Sequence, residues 1–68
     1  IMIEVGDLVY PTYYGEAALG VVCDVYEPLD GYMKLRAKIL MKNGTAYNFL
    51  VEELSLHTKK KDRKIKKK

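Results

Sequence analysis

Apolar and polar residues alternate with a period of two over several short stretches of the chain, the pattern of half-buried β-strands. From Leu19 to Tyr26, every second residue is apolar, and Cys23 falls on that apolar side. The sequence therefore predicts a strand over these eight residues with the Cys23 side chain in the core. The turn-forming residues between Glu27 and Gly31 predict a loop directly after it.

The clearest alternation runs from Tyr32 to Met41 and predicts a long strand with one apolar and one basic face. The apolar face carries five residues: Met33, Leu35, Ala37, Ile39 and Met41. The opposite face carries three basic residues: Lys34, Arg36 and Lys38. Asn43-Gly44 follows after Lys42, which indicates a hairpin into a fourth strand over Thr45 to Val51.

The register of this hairpin follows from the apolar pattern. A two-residue Asn43-Gly44 loop would place Lys38 opposite Phe49 and mix core and solvent residues on each face. A three-residue loop, with Gly44 in the left-handed region as a bulge, makes one face uniformly apolar. Because a shift of one residue turns every side chain to the other face, the pattern predicts the three-residue loop. It pairs Met41 with Thr45, Ile39 with Tyr47, Ala37 with Phe49 and Leu35 with Val51.

The beginning of the chain predicts a turn followed by a strand. Gly6 tolerates positive φ and Asp7 can bond nearby main-chain amides, so Gly6-Asp7 is interpreted as a structural turn, without companions for a metal site at Asp7. Its apolar neighbours Ile3, Val5, Leu8 and Val9 supply the first core contacts. Strand-forming residues run from Leu8 to Tyr14, and Pro11 should bend or end that strand. A loop around Gly15 extends from Tyr13 to Ala18, and Glu52-Glu53 predicts a tight turn before a last strand at Leu54 to His57.

Five short strands without a convincing helix predict an all-β domain over residues 1–58, closed into a small barrel because closure removes exposed edges. The order Gly6-Asp7-Leu8-Val9, Gly20-Val21-Val22, a long basic strand, Asn43-Gly44 and a turn into Leu54-Ser55-Leu56 resembles the SH3-like small barrels, especially the KOW-like and phage-encoded types. The resemblance spans roughly Val5 to His57 and implies a five-stranded SH3-like barrel. The chain lacks the tryptophan with which signalling SH3 domains grip proline-rich peptides.

Charge divides the chain into an acidic body and a basic tail. Residues 1–58 carry four basic and eight acidic residues, net −4, whereas residues 59–68 carry eight basic residues and Asp62, net +7. A segment with so much like charge and so few apolar residues buries too little surface to fold alone. The sequence therefore predicts a disordered, Lys-rich tail over residues 59–68.

The basic residues are candidates for a nucleic-acid surface. The strand-three stripe and the tail would together contact phosphates without sequence specificity and with strong salt dependence. The candidate residues are Lys34, Arg36, Lys38, Lys59, Lys60, Lys61, Arg63 and Lys64. A solvated strand face that discourages edge-to-edge association is the alternative interpretation of the stripe, and the acidic body would repel a polyanion.

Tyrosines form the second candidate surface. Tyr10, Tyr13 and Tyr14 lie in or beside the first long loop, and Tyr32 and Tyr47 lie on the long hairpin. Convergent rings at one end of the barrel would form a partner-binding surface whose faces attract cations. The alternative is that they fill space in a small core with their hydroxyls reaching solvent.

Catalytic chemistry has little support in the sequence. Cys23, the only cysteine, is predicted to be a buried inert thiol, and His57, the only histidine, adjoins the tail. Phosphate-binding loops and metal-ligand motifs are absent from the sequence, so we expect no enzyme, no cofactor, no metal and no small-molecule substrate. With neither a spanning apolar segment nor a signal-peptide core, we expect a cytoplasmic protein without membrane contact, in a phage-infected host cell if the phage-type resemblance holds.

Two functions remain. The first is a non-catalytic nucleic-acid-associated module in which the tail supplies affinity. The second is a protein-interaction or structural accessory module whose tail aids solubility.

Overall fold

The computed structural model describes residues 2–29 and 34–62 of the 68-residue chain. These residues form an all-β domain with three short 3₁₀ segments, at Glu16–Ala18, Val51–Glu53 and Lys60–Asp62. The strands, in chain order, are β1 (Leu8–Pro11), β2 (Gly20–Tyr26), β3 (Arg36–Met41), β4 (Ala46–Leu50) and β5 (Leu54–Thr58). The predicted strand content is therefore confirmed, with the third strand shorter than the Tyr32 to Met41 stretch. Within the described ranges, no helix is long and apolar enough to cross a membrane.

All five strands are antiparallel and lie in one sheet in the order β4-β3-β2-β1-β5. The sheet is open rather than closed, so the predicted barrel closure is wrong. Closure was expected in order to remove exposed edges, but strands of four to seven residues leave only short edges to protect. On β4, one outward amide is covered locally, because the N–H of Leu50 donates to Glu53 Oε1 at 3.1 Å.

The β3–β4 hairpin has the predicted register. Ile39 pairs with Tyr47 and Ala37 with Phe49, while the N–H of Met41 donates to the carbonyl of Thr45 at 2.9 Å. Gly44 has a φ of 87°, the left-handed conformation that the three-residue loop requires. The requirement for a uniformly apolar face therefore identified the turn correctly.

Strand β2 departs from simple alternation at Cys23. The pairing of β2 with β3 shifts register between Val22 and Asp24, so Cys23 lies in a bulge and is exposed. An extra residue in one strand reverses which later positions face the core. Val22 is buried and Val25 also packs against the core, although the two are three residues apart. The prediction of a buried Cys23 is therefore wrong: before the bulge the buried residues are Gly20 and Val22, so the core-facing positions are the alternate ones to those expected, and Cys23 follows Val22 on the outward side.

The core lies on one face of the sheet. Its buried apolar side chains come from the segment before β1 and from β1, β2, β3 and β5: Ile3, Val9, Val22, Ala37, Ile39 and Leu54. Partly buried residues complete it: Val25, Met41, Phe49, Val51 and Leu56. Of the four apolar residues expected to begin the core, Ile3 and Val9 are buried, whereas Val5 is 49% exposed.

The folded part extends past the predicted boundary at residue 58. Lys59 is half-buried and Lys60 begins the last 3₁₀ segment, so these two residues belong to the domain rather than to a disordered tail. Residues 63–68, which include Arg63 and Lys64, lie outside the described residues, as does Tyr32.

Candidate binding surface

An aromatic groove lies where the loop after β1 meets strand β4. We define it by five residues: Pro11, Tyr13, Tyr14, Tyr47 and Phe49. Pro11, Tyr14 and Phe49 line two adjoining depressions, one of about 480 Å³ that also includes Tyr13 and one of about 360 Å³ that also includes Tyr47. Concave, mostly apolar surfaces are typical of binding sites.

Main-chain hydrogen bonds hold the loop that carries the tyrosines. The carbonyl of Pro11 accepts from the N–H groups of Tyr14 at 2.9 Å and Gly15 at 3.0 Å, which forms a tight turn. The N–H of Thr12 donates to the carbonyl of Glu53 at 2.9 Å, which joins this turn to the 3₁₀ segment before β5. The loop after β1 is therefore attached to the end of the sheet rather than projecting alone.

The two tyrosines of this turn are exposed although they are large and partly apolar. Tyr13 is 94% and Tyr14 is 65% exposed, and their rings pack edge to face with centroids 5.6 Å apart. Tyr47 and Phe49 form a second, tilted ring pair at 6.5 Å on β4. Tyr47 is also exposed, whereas Phe49 is half-buried against the core, so three of the four rings present aromatic surface to solvent.

The structure brings some of the tyrosines of the predicted surface together. Tyr13 and Tyr14 converge in the groove together with Tyr47, which was assigned to the long hairpin. Tyr10 lies outside both depressions, on β1 opposite Ser55, and Tyr32 is outside the described residues. The sequence reasoning missed Pro11 and Phe49 as members of the surface. Phe49 could have been found from the predicted pairing of Ala37 with Phe49, because this pairing places the Phe49 ring on the core face of an edge strand.

The basic stripe is largely matched by acidic or polar neighbours. Lys34 Nζ lies 3.1 Å from a Glu52 carboxylate oxygen in an exposed ion pair, a contact of little net energy. Lys38 is exposed and lies between Asp24 of β2 and Asn48 of β4 in the strand register. Arg36 is half-buried opposite Tyr26. The three residues therefore do not form a continuous surface of unmatched positive charge.

The tail lysines have different environments. Lys59 Nζ donates to Asp7 Oδ2 at 2.7 Å and to the carbonyl of Met2 at 2.8 Å, and it lies 3.6 Å from Glu4. Lys60 and Lys61 are exposed at their side chains. Lys59 is thus engaged within the domain, whereas its two neighbours face solvent.

Asp7 is the only fully buried charged side chain in the described ranges, with an exposure of 0%. Besides Lys59, it accepts hydrogen bonds from the main-chain N–H groups of Lys60 at 2.8 Å and Glu4 at 2.9 Å. Burial by itself raises the pKa of Asp7, but the hydrogen bond from Lys59 and those two main-chain bonds outweigh burial, so its pKa lies below the ordinary value of 3.8. We call Asp7, Lys59 and Lys60 the Asp7 clasp.

The turn before Asp7 is built for this contact. The N–H of Asp7 donates to the carbonyl of Glu4 at 3.0 Å, and Gly6 has a φ of +97°, which favours glycine. A Cβ atom on Gly6 would lie 2.9 Å from Lys60 Cδ, a contact that the flexible Lys60 side chain can relieve by shifting, so the preference for glycine rests on the positive φ. The structural interpretation of Gly6-Asp7 is supported, with an added function of binding the last part of the domain.

Cys23 and His57 have local contacts. Cys23 Sγ donates to the carbonyl of Val21 at a long 3.8 Å, and His57 Nδ1 lies 2.6 Å from the hydroxyl of Thr58. Among residues 2–29 and 34–62, no group of three or more His, Cys, Asp or Glu side chains could hold a metal ion.

Comparison of the chain with protein-family models, curated proteins and solved structures found no match. We take the aromatic groove as the candidate site because it combines a concave shape with exposed aromatic rings.

Proposed function

We propose that the protein is a non-catalytic interaction module that binds an extended segment of a protein partner in the aromatic groove. The observation that carries this proposal is the convergence of Pro11, Tyr14 and Phe49 in one exposed groove. Aromatic rings are enriched at the energetic centres of protein interfaces, where they bury a large area with few rotatable bonds.

An SH3-like assignment is part of the proposal. The elements on which the resemblance rests occur in the sheet in the same order: the Gly6-Asp7 turn, a strand pair, a bulged hairpin, and a tight turn into β5. In this proposal the protein has the SH3-like element order in an open sheet.

The groove favours apolar side chains of the partner. Its rings offer faces and edges, and the carboxylate-bearing Glu53 borders only the depression that contains Tyr13. Extended segments present alternate side chains to one surface, which suits two adjoining depressions. We therefore propose an extended peptide with two apolar anchors.

Selection from a library of random displayed peptides tests this proposal. We expect peptides with paired apolar residues whose affinity falls at least about tenfold when Tyr14 is replaced by Ala, a loss typical of an interface anchor. Leu29→Ala is the matched control, since Leu29 is an exposed large apolar residue outside the groove. Peptides that bind the Tyr14→Ala variant as well as the parent protein would contradict the proposal, as would a selection without enrichment.

Nucleic-acid association through the C-terminal lysines is a second candidate, favoured by the net charge of +7 over residues 59–68. Because Lys59 and Lys60 belong to the Asp7 clasp, the informative truncation ends at Asp62 and leaves the domain intact. It removes five basic residues. Five phosphate contacts predict a roughly 500-fold loss of affinity for duplex DNA between 50 and 200 mM salt.

The truncation separates the two candidate functions. If the tail binds nucleic acid, the shortened protein loses both DNA affinity and its salt dependence while peptide binding in the groove is unchanged. DNA binding that survives the truncation would contradict the tail hypothesis.

A further inference from the structure

Strand β4 lies at an edge of the sheet and belongs to the longest stretch of sequence without a charged residue. Residues 43–51 contain no acidic or basic side chain, and β4 (Ala46–Leu50) occupies an edge of the open sheet. Proteins usually protect such edges with charged residues, proline or a covering element. The other edge strand, β5 (Leu54–Thr58), differs because acidic residues precede it and Lys59 follows it directly.

The hairpin register identifies which main-chain groups face outward. Residue pairs in antiparallel strands alternate between hydrogen-bonded and non-hydrogen-bonded. Met41 bonds to Thr45 and Leu35 bonds to Val51, so Thr45, Tyr47, Phe49 and Val51 direct their main-chain groups toward β3. The groups of Ala46, Asn48 and Leu50 therefore point away from the sheet.

Leu50 is already engaged, but Ala46 and Asn48 remain open. The N–H of Leu50 donates to Glu53 Oε1, and the chain enters a 3₁₀ segment directly after it. Among the described residues, no hydrogen bond is found for the outward main-chain groups of Ala46 and Asn48. Two donors and two acceptors are thus presented along a short edge.

We propose that this edge pairs with the same edge of a second copy of the chain, forming a two-fold symmetric dimer with a continuous sheet. An antiparallel register centred on Tyr47 pairs Ala46 with the second copy's Asn48, and Asn48 with its Ala46. This register uses all four open groups of each chain and leaves the Leu50 to Glu53 bond undisturbed. Symmetric partners with self-complementary surfaces form closed dimers.

Side chains also match in this register. Tyr47, which is 46% exposed, would face its own copy across the axis as a non-hydrogen-bonded pair, the closer of the two antiparallel pair types. Phe49 is the ring neighbour of Tyr47 at 6.5 Å, so the paired strands would bring four rings together. With no charge on residues 43–51, nothing in the two strands repels. A second copy therefore fits this edge better than a charged segment would.

Two double variants that differ from each other only at residue 46 test this register. Ala46→Asp with Asn48→Asp places two like-charged pairs across the axis, whereas Ala46→Lys with Asn48→Asp places two opposite-charged pairs there. Both positions are exposed, and Lys38 lies beside residue 48 in both variants. The side chains of residues 46 and 48 project to the sheet face opposite Tyr47 and Phe49, so these substitutions do not alter the residues that line the aromatic groove.

Sedimentation equilibrium of the full chain, up to the hundred-micromolar range, provides the readout. We expect the unmodified protein to approach twice the 7.8 kDa chain mass. Dimerisation should weaken about tenfold or more in the like-charged variant relative to the opposite-charged variant, as expected for two cross-strand charge pairs. His57→Lys on the β5 edge should leave the dimer intact, because that edge is not used.

Other results would overturn the proposal. A monomer throughout the concentration range would do so, and so would a dimer that both double variants form equally well. A dimer abolished by His57→Lys would assign the contact to β5 instead. Far-ultraviolet circular dichroism of each variant establishes that the fold is retained, and a variant that unfolds is replaced by its single Ala46 substitution.

Discussion

The Asp7 clasp and the aromatic groove differ in how far their side chains are exposed to solvent. At the clasp a carboxylate is fully buried and accepts three hydrogen bonds, whereas in the groove Tyr13 is 94% exposed. A buried charge is tolerated only where it is paired and hydrogen-bonded. An exposed ring adds little to folding and remains available to a partner. The comparison indicates that one region stabilises the domain and the other is suited to binding.

The clasp also explains how so small a domain connects its two ends. Asp7 accepts bonds from Glu4, three residues before it, and from Lys59 and Lys60, more than fifty residues after it. A domain of this length has a limited apolar core, with six buried apolar residues among those described. One buried carboxylate therefore joins the segment before β1 to the segment after β5.

The largest expected effect is that of removing the Asp7 carboxylate. Asp7→Ala leaves the main-chain donors of Glu4 and Lys60 without their acceptor and should lower the free energy of unfolding by about 3 kcal/mol. Urea denaturation followed by circular dichroism measures the change. Asp24→Ala is the control, because Asp24 is an exposed aspartate on the same sheet and should change stability by less than about 0.5 kcal/mol. Equal effects of the two substitutions would show that Asp7 stabilises the domain no more than an exposed aspartate does.

The pH dependence of stability should follow the clasp. The pKa of Asp7 is lowered in the folded protein, so its contribution is present above the ordinary value of 3.8 and is lost as the pH falls through the folded pKa. The hydrogen bond to Asp7 raises the pKa of Lys59, so its contribution is complete below 10.5 and is lost as the pH rises through the folded pKa.

Urea denaturation at about pH 6 and about pH 2.5 measures the loss of stability in acid, because the ordinary aspartate pKa of 3.8, at which the unfolded chain takes up a proton, lies between these two values. We expect a lower free energy of unfolding at the acidic pH. Asp7→Asn removes the titrating group while keeping a side-chain acceptor, so the loss of stability in acid should be smaller in that variant. An unchanged acid dependence in Asp7→Asn would assign the effect to other carboxylates.

Much of this structure is predictable where side-chain pattern alone decides the outcome. The hairpin register followed from the need for one apolar face across Ile39, Tyr47 and Phe49, and the structure has that register. The Gly6-Asp7 turn followed from local turn chemistry. Both predictions depend on interactions between residues close in sequence.

The errors concern features that depend on distant contacts. Strand β2 has apolar residues on both sides, so its pattern alone did not show that Gly20 and Val22 face the core or that the register with β3 shifts at Cys23. The binding of Lys59 to Asp7 joins residues 52 positions apart, so charge composition alone assigned Lys59 to the tail. Barrel closure was inferred from a general preference to hide edges, whereas this sheet leaves β4 and β5 unjoined.

The smallest expected effect on stability is that of the groove tyrosines. Tyr13→Ser removes a ring that is 94% exposed, so the free energy of unfolding should change by less than about 0.5 kcal/mol. The same substitution should weaken binding of the selected peptides, because the ring borders the groove beside Tyr14. Urea denaturation and a fluorescence titration with one selected peptide measure the two quantities on the same preparation. The opposite result would be a Tyr13→Ser variant that is destabilised as much as Asp7→Ala and still binds peptide. That result would show that Tyr13 stabilises the domain and does not belong to the binding site.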